Sequence, residues 1–102
     1  MFSQESDILR RLRLIEGLKA DLLTEVGKLY QAMVRNNRQA IGEALAQVII
    51  LVFVLGRRLG FDFSEMDEMV NTRLGHNIDQ EPEVERWFGD MSEYRRFLRQ
   101  KR

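Results

Sequence analysis

Asp21 and Glu25 stand four residues apart in a stretch of helical periodicity, so their carboxylates share one face of a helix. Glu43 lies near the start of the next helical stretch, which a short polar turn folds back beside the first. Carboxylates converging from facing helices of a bundle can hold Mg2+, a hard cation that takes oxygen ligands. The same stretch also carries an opposing signal. Lys28 follows Glu25 by one turn and Gln47 follows Glu43 by one turn. The alternative reading is a set of solvated helix-face charges in which Glu25 is attracted to Lys28.

Three further groups have chemistry open to them. His76, the only histidine, could bind phosphate or titrate near neutral pH, but no partner is visible beside it and an exposed or capping histidine explains it as well. Trp87-Phe88 could stack a base, although anchoring the C-terminal segment is the simpler use of two adjacent aromatics. Arg95, Arg96, Arg99, Lys101 and Arg102 could meet nucleic acid or anionic lipid. Cations at the end of a helix are also favoured by its dipole, and that reading is preferred.

The elements that must position these residues are helices. From Asp7 to Val34, the residues Ile8, Leu12, Ile15, Leu22, Val26, Leu29 and Met33 keep the 4-3 spacing of a one-sided apolar stripe. Gly17, mid-run, leads us to expect a kink or break there. Asn36 to Gln39 is a polar turn, with Asn36 placed to cap the second helix and Gln39 three residues on, as in a capping box. The second helix should run from about Asn37 to Leu59, with Gly60 as a left-handed stop. Val48 to Leu55 is apolar without a break, too short to span a bilayer and better suited to a buried core. Such a helix needs cover on every side, which three or four helices of one chain can hardly supply, so we expect a homo-dimer or homo-tetramer.

Asp62 and Glu65 make another capping pair, opening a third helix through Met66, Val70 and Leu74 that Gly75 should stop. Gly75 to Gln80 then reads as a loop. Pro82 suits the first turn of a short helix through Trp87 and Phe88. After Gly89, Asp90 with Glu93 caps a last helix whose apolar residues are Met91, Tyr94, Phe97 and Leu98. No stretch alternates like a strand, so the fold class is all-α, one domain over residues 1–102.

Composition narrows the function classes. Sixteen Lys and Arg balance sixteen Asp and Glu, whereas a dedicated nucleic-acid binder carries surplus positive charge to displace counterions from phosphate. Nucleic acid is therefore not the expected partner. The chain has no cysteine, which rules out disulfides, thiolate metal sites and a cysteine nucleophile. Residues 1–13 alternate charge with leucine and lack the apolar core of an export signal, so a cytoplasmic location without membrane association is expected.

Leu22-Leu23-Thr24-Glu25-Val26-Gly27-Lys28-Leu29-Tyr30-Gln31-Ala32, then Ile41-Gly42-Glu43-Ala44-Leu45-Ala46-Gln47-Val48 and the apolar run to Gly60, resembles the core of the MazG-like family. The resemblance covers roughly residues 12–77, and the Trp87-Phe88-Gly89-Asp90 region resembles small stand-alone members of that family. It implies a MazG-like helical bundle with a core over about residues 8–77, short C-terminal helices over 81–100, and completion by homo-oligomerisation. It also implies Mg2+-dependent cleavage of nucleoside triphosphates, often non-standard ones, to a monophosphate and pyrophosphate. The family's metal ligands come from an E-E-x-x-E motif on the first helix and E-x-x-D on the second. Laid on these motifs, this chain reads Thr24-Glu25-Val26-Gly27-Lys28 and Ala44-Leu45-Ala46-Gln47. Of the four ligand positions, only Glu25 keeps an acid, and Lys28 puts an ammonium where a dication would sit. At about 4 Å the two repel by several kcal/mol even at an effective dielectric near roughly 20.

Asn71-Thr72-Arg73 resembles the family's N-x-K element for nucleotide phosphates, with arginine as the phosphate donor. The alternative there is an ordinary polar helix face. Three functions are thus expected in order. The first is a MazG-like protein without the usual hydrolysis, acting as a nucleotide-responsive or structural oligomer that needs no cofactor. The second is a working Mg2+-dependent pyrophosphohydrolase with a rearranged site of Asp21, Glu25 and Glu43. The third is a small protein- or nucleic-acid-binding helical module.

Overall fold

The computed structural model describes residues 2–80, 83 and 89–101. Four helices and no strand occur among them, in the order α1 (Phe2–Val34), α2 (Arg38–Arg58), α3 (Phe63–Gln80) and α4 (Asp90–Lys101). The chain divides into two compact units, Met1–Phe63 and Ser64–Arg102. The segment expected to form a short helix from Pro82 through Trp87 and Phe88 lies outside the described residues.

The first unit is an αα-hairpin. Its turn uses three residues, 35–37, and the two asparagines each have a defined task. Asn36 adopts φ 53°, a left-handed conformation that asparagine tolerates better than most side chains. The Asn36 N–H donates to Met33 O at 3.0 Å and the Asn37 N–H to Ala32 O at 3.1 Å, the paired bonds of a Schellman C-cap. Asn37 then caps α2, its Oδ1 accepting from the Ala40 N–H at 3.1 Å. The cap is therefore Asn37, one residue later than expected from the sequence. Gln39 does not reach back to the cap; its Nε2 donates to Glu43 Oε1 at 3.0 Å.

α1 is one continuous helix of 33 residues, with no break at Gly17. A helix interior tolerates one glycine, and nothing lies within 4 Å of where its Cβ would stand. The residues turned inward are Ile15, Leu18, Leu22, Glu25, Leu29 and Ala32, a strict 3-4 alternation. This differs from the stripe expected from apolarity alone: Ile8, Leu12, Val26 and Met33 are all exposed. Length explains part of the difference. At 1.5 Å per residue α1 is roughly 50 Å long and α2 roughly 32 Å, so the first turns of α1 run past the end of their partner.

On α2 the inward residues are Ala44, Val48, Leu51, Leu55 and Gly56. Gly60, at φ 103°, closes the helix: its N–H donates to Arg57 O at 3.1 Å and the Phe61 N–H to Gly56 O at 3.0 Å, a second Schellman cap. Phe63 packs its ring 6.4 Å from that of Phe53 and lies under the Arg57 guanidinium at 5.2 Å. The rest of α2 has no cover within this unit. Leu45, Ile49, Ile50, Val52 and Val54 are exposed, and only 17% of the most apolar 18-residue window is buried. By length and composition alone, with a mean hydropathy of 1.9 in that window, this helix could cross a membrane. Core helices of soluble bundles meet the same criterion.

In the second unit, α3 runs through Gly75 to Gln80 rather than stopping there. Ile78 continues the Met66, Val70, Leu74 stripe at four-residue spacing, which favours propagation over a glycine stop. In α4, Gly89 takes the cap position, its carbonyl accepting from the Glu93 N–H at 3.0 Å, and Asp90 is the first helical residue. Met91 and Leu98 are half-buried, whereas Tyr94 and Phe97 are exposed.

Gly17→Ala should stabilise the protein by about 0.5–1 kcal/mol, because it removes a helix-interior glycine from open space. Gly60→Ala should destabilise it through the forced positive φ. Paired chemical denaturation curves check both, and equal midpoints for the two variants would contradict this account of the helix ends.

Candidate functional site

The hairpin leaves an open cleft of about 440 Å3 between α1 and α2. Its α1 wall carries Glu25, Lys28 and Gln31, with Ala32 beneath and Arg35 just past the helix end in the turn. Its α2 wall is Ala40, Glu43, Ala44 and Gln47, and Asn37 closes the end at the turn. Ala40 and Ala44 present only Cβ methyl groups to this space, between the longer Glu43 and Gln47. Glu25, Lys28, Ala44 and Gln47, the four positions matching the family's ligand motifs, all line this one cleft. They meet because α1 and α2 pair antiparallel with fixed register, and residues near 25 and 28 then lie level with residues near 47 and 44.

Glu25 occupies an inward position of the helix seam, with its side chain 18% exposed. One of its oxygens is bonded to Lys28 Nζ at 3.2 Å, and the lysine is 63% exposed. An exposed ammonium reaching down to a mostly covered carboxylate follows from a long apolar stem with a hydrated head. Glu43 is exposed at the mouth of the cleft and accepts from Gln39. Asp21 is exposed one turn before Glu25 and does not line the cleft. Among the described residues, no three His, Asp or Glu side chains are grouped so as to hold a metal ion. The polar groups lining the space are the Glu25 and Glu43 carboxylates, the Lys28 ammonium, the Arg35 guanidinium and the amides of Gln31, Asn37 and Gln47.

Gln31 and Arg35 were not singled out by motif, yet they line the cleft with Lys28. Their signal was present in the sequence: steps of three and four from Lys28 keep Gln31 and Arg35 on its face. Asn71 and Arg73 are carried by α3, in the second unit, where Asn71 is half-buried and Arg73 exposed. His76 is exposed on the same helix. Arg96 of the basic tail is tied to Glu93 at 2.7 Å, and Arg99 and Lys101 lie in the last turn of α4, where its dipole favours cations.

A model of the MazG-like family matches residues 8–91, most of the chain. The chain belongs to the MazG-like family. Family membership extends beyond the hairpin to the start of α4, so it takes in the C-terminal segment as well as the two motif-bearing helices. No curated protein and no solved structure matches the chain.

Because Glu25 occupies a seam position otherwise filled by apolar residues, Glu25→Leu should stabilise the hairpin by on the order of 1 kcal/mol. Thermal denaturation of the two proteins measures this. A loss of stability would mean that the Glu25–Lys28 pair contributes more to the hairpin than apolar burial can replace.

Proposed function

We propose that this MazG-like protein has lost the Mg2+-dependent hydrolysis associated with its family and acts in the cytoplasm as a nucleotide-responsive or structural homo-oligomer, a single MazG-like domain over its whole length. One observation carries the reading. The four positions that match the family's ligand set share one cleft, and they supply one carboxylate, already bonded to a lysine. Mg2+ is drawn from water by several hard oxygen donors carrying net negative charge. Here Ala44 offers none, Gln47 offers an uncharged amide, and Lys28 repels the ion. A rearranged metal site would have to use Glu25, Glu43 and Asp21, and Asp21 does not line the cleft.

The oligomer is supported by the uncovered apolar face of α2, where five large apolar side chains lie open in the single chain. We assign this face to a second copy rather than to lipid because Glu43 and Gln47 lie within the same helix, where they would have to enter the hydrocarbon. The assembly is a dimer or tetramer, with nucleotide as the ligand class.

The direct test is pyrophosphate release from a panel of standard and modified nucleoside triphosphates with Mg2+ or Mn2+, beside an EDTA control. No turnover is expected from folded, oligomeric protein. Metal-dependent turnover that disappears in Glu25→Ala would establish the rearranged acidic site and overturn the proposal. Light scattering in detergent-free buffer at micromolar concentration should give the mass of a dimer or tetramer; a stable monomer would remove the argument from α2.

A further inference from the structure

The geometry points to a contact between two copies on the flank of the hairpin away from the cleft. In it, the α1 helices pack antiparallel about a twofold axis level with residues 17 and 18. The inference rests on the homo-oligomer proposed above, and it adds a second face, a register and the charges that fix it.

One position after each residue of the α1 seam, and so about 100° further round the helix, stands a second stripe. It keeps the same 3-4 alternation: Leu9, Leu12, Leu23, Val26, Tyr30 and Met33, with Glu16 and Lys19 at the two remaining positions. All six apolar residues are exposed. The cleft residues Lys28 and Gln31 instead precede the seam residues Leu29 and Ala32, so stripe and cleft lie on opposite flanks of α1. On α2 the order is the same. Glu43 and Gln47 of the cleft precede Ala44 and Val48, whereas the exposed Leu45, Ile49 and Val52 follow Ala44, Val48 and Leu51. In an antiparallel pair, the flanks reached by stepping forward from each seam fall on one side. The hairpin therefore presents a two-helix apolar face opposite its cleft, the inner layer of a helical bundle.

Two charges interrupt the stripe and decide how a second copy fits. Glu16 and Lys19 are bonded to each other at 2.9 Å, and both are exposed. A twofold contact repeats every pairing about its axis. With the axis between residues 17 and 18, Glu16 of each copy is level with the partner's Lys19. Leu12 is then level with the partner's Leu23, and Leu9 with the partner's Val26, so apolar meets apolar on both sides of the charges. Other registers fail on the same residues. Parallel helices in register, or an axis at residue 16 or 19, set like charges against each other. An axis at residue 21 sets Glu16 against Val26 and Lys19 against Leu23, burying charge on apolar side chains.

The length of α1 supplies a second reason. Its residues before about 14 run past the end of α2 at Arg58 and have no helix beside them in their unit. In the register above, those turns lie along the partner's Leu23 and Val26, beside its Ile49. The overhang of each copy thus covers the open flank of the other.

The test uses the full-length protein, which has no cysteine of its own. Positions 12 and 23 are about 16 Å apart along one helix, too far for a disulfide within it. Under mild oxidation the double variant Leu12→Cys/Leu23→Cys should form a covalent dimer, whereas each single variant should remain uncrosslinked. The charges are tested separately. Glu16→Lys and Lys19→Glu should each raise the concentration at which the oligomer dissociates by about tenfold or more, because like charges then meet at the axis. An equimolar mixture of these two variants should recover association. Opposite charges meet again between chains there, although neither chain regains its internal pair. Crosslinking of a single variant as readily as the double would overturn the register. An oligomeric protein that neither crosslinks in the double variant nor responds to the charge variants would overturn this contact and leave the oligomer to α2 alone. A monomeric unmutated protein would defeat the oligomer itself and this contact with it.

Discussion

The pairing of α1 with α2 is the constraint on which the site depends, and the three-residue turn sets it. Positions 25 and 28 come level with 44 and 47 only if the two helices leave the turn in one register. Asn36 and Asn37 fix that register chemically. Asn36 accepts the left-handed backbone that ends α1, and Asn37 completes the C-cap of one helix and forms the N-cap of the next. Shifting either helix by one residue would rotate its side chains by about 100°, turning Glu25 or Ala44 away from the cleft.

Much of this was legible in the sequence because helix ends carry local signals. Asn-Asn, Gly60 and Asp62 each marked a boundary within about a residue, since capping depends on the backbone conformation of one or two positions. The inward face of α1 was less legible. Apolarity placed Val26 and Met33 inside, whereas the helix turns Glu25 and Ala32 inward. An acid in the seam and exposed apolar neighbours contradict simple patterning; the acid lines the candidate cleft, and the apolar neighbours lie where further cover is missing. Gly75 failed as a stop for a related reason. Glycine ends a helix only when its backbone turns left-handed, and Ile78 rewards continuation.

The apolar face of α2 shows the limit of a single chain. One partner helix can cover one stripe, and α1 does so with Ile15, Leu18, Leu22, Leu29 and Ala32. The opposite stripe is as apolar and has no second helix in its unit. Exposing several contiguous large aliphatic side chains to water is costly and is a usual mark of an interaction surface. The composition of α2 thus exceeds what the hairpin alone can cover.

Lys28 differs in kind from the changes at 44 and 47. Alanine and glutamine at those positions only subtract charge from the cleft. A lysine adds the opposite charge one turn from the remaining carboxylate, and at 3.2 Å it supplies the counter-charge that a bound cation would otherwise provide. Glu25 can therefore stay in an inward position without any metal, and the hairpin keeps its register. In physical terms the tethered ammonium substitutes for part of the electrostatic role of a dication while presenting N–H donors instead of open coordination positions.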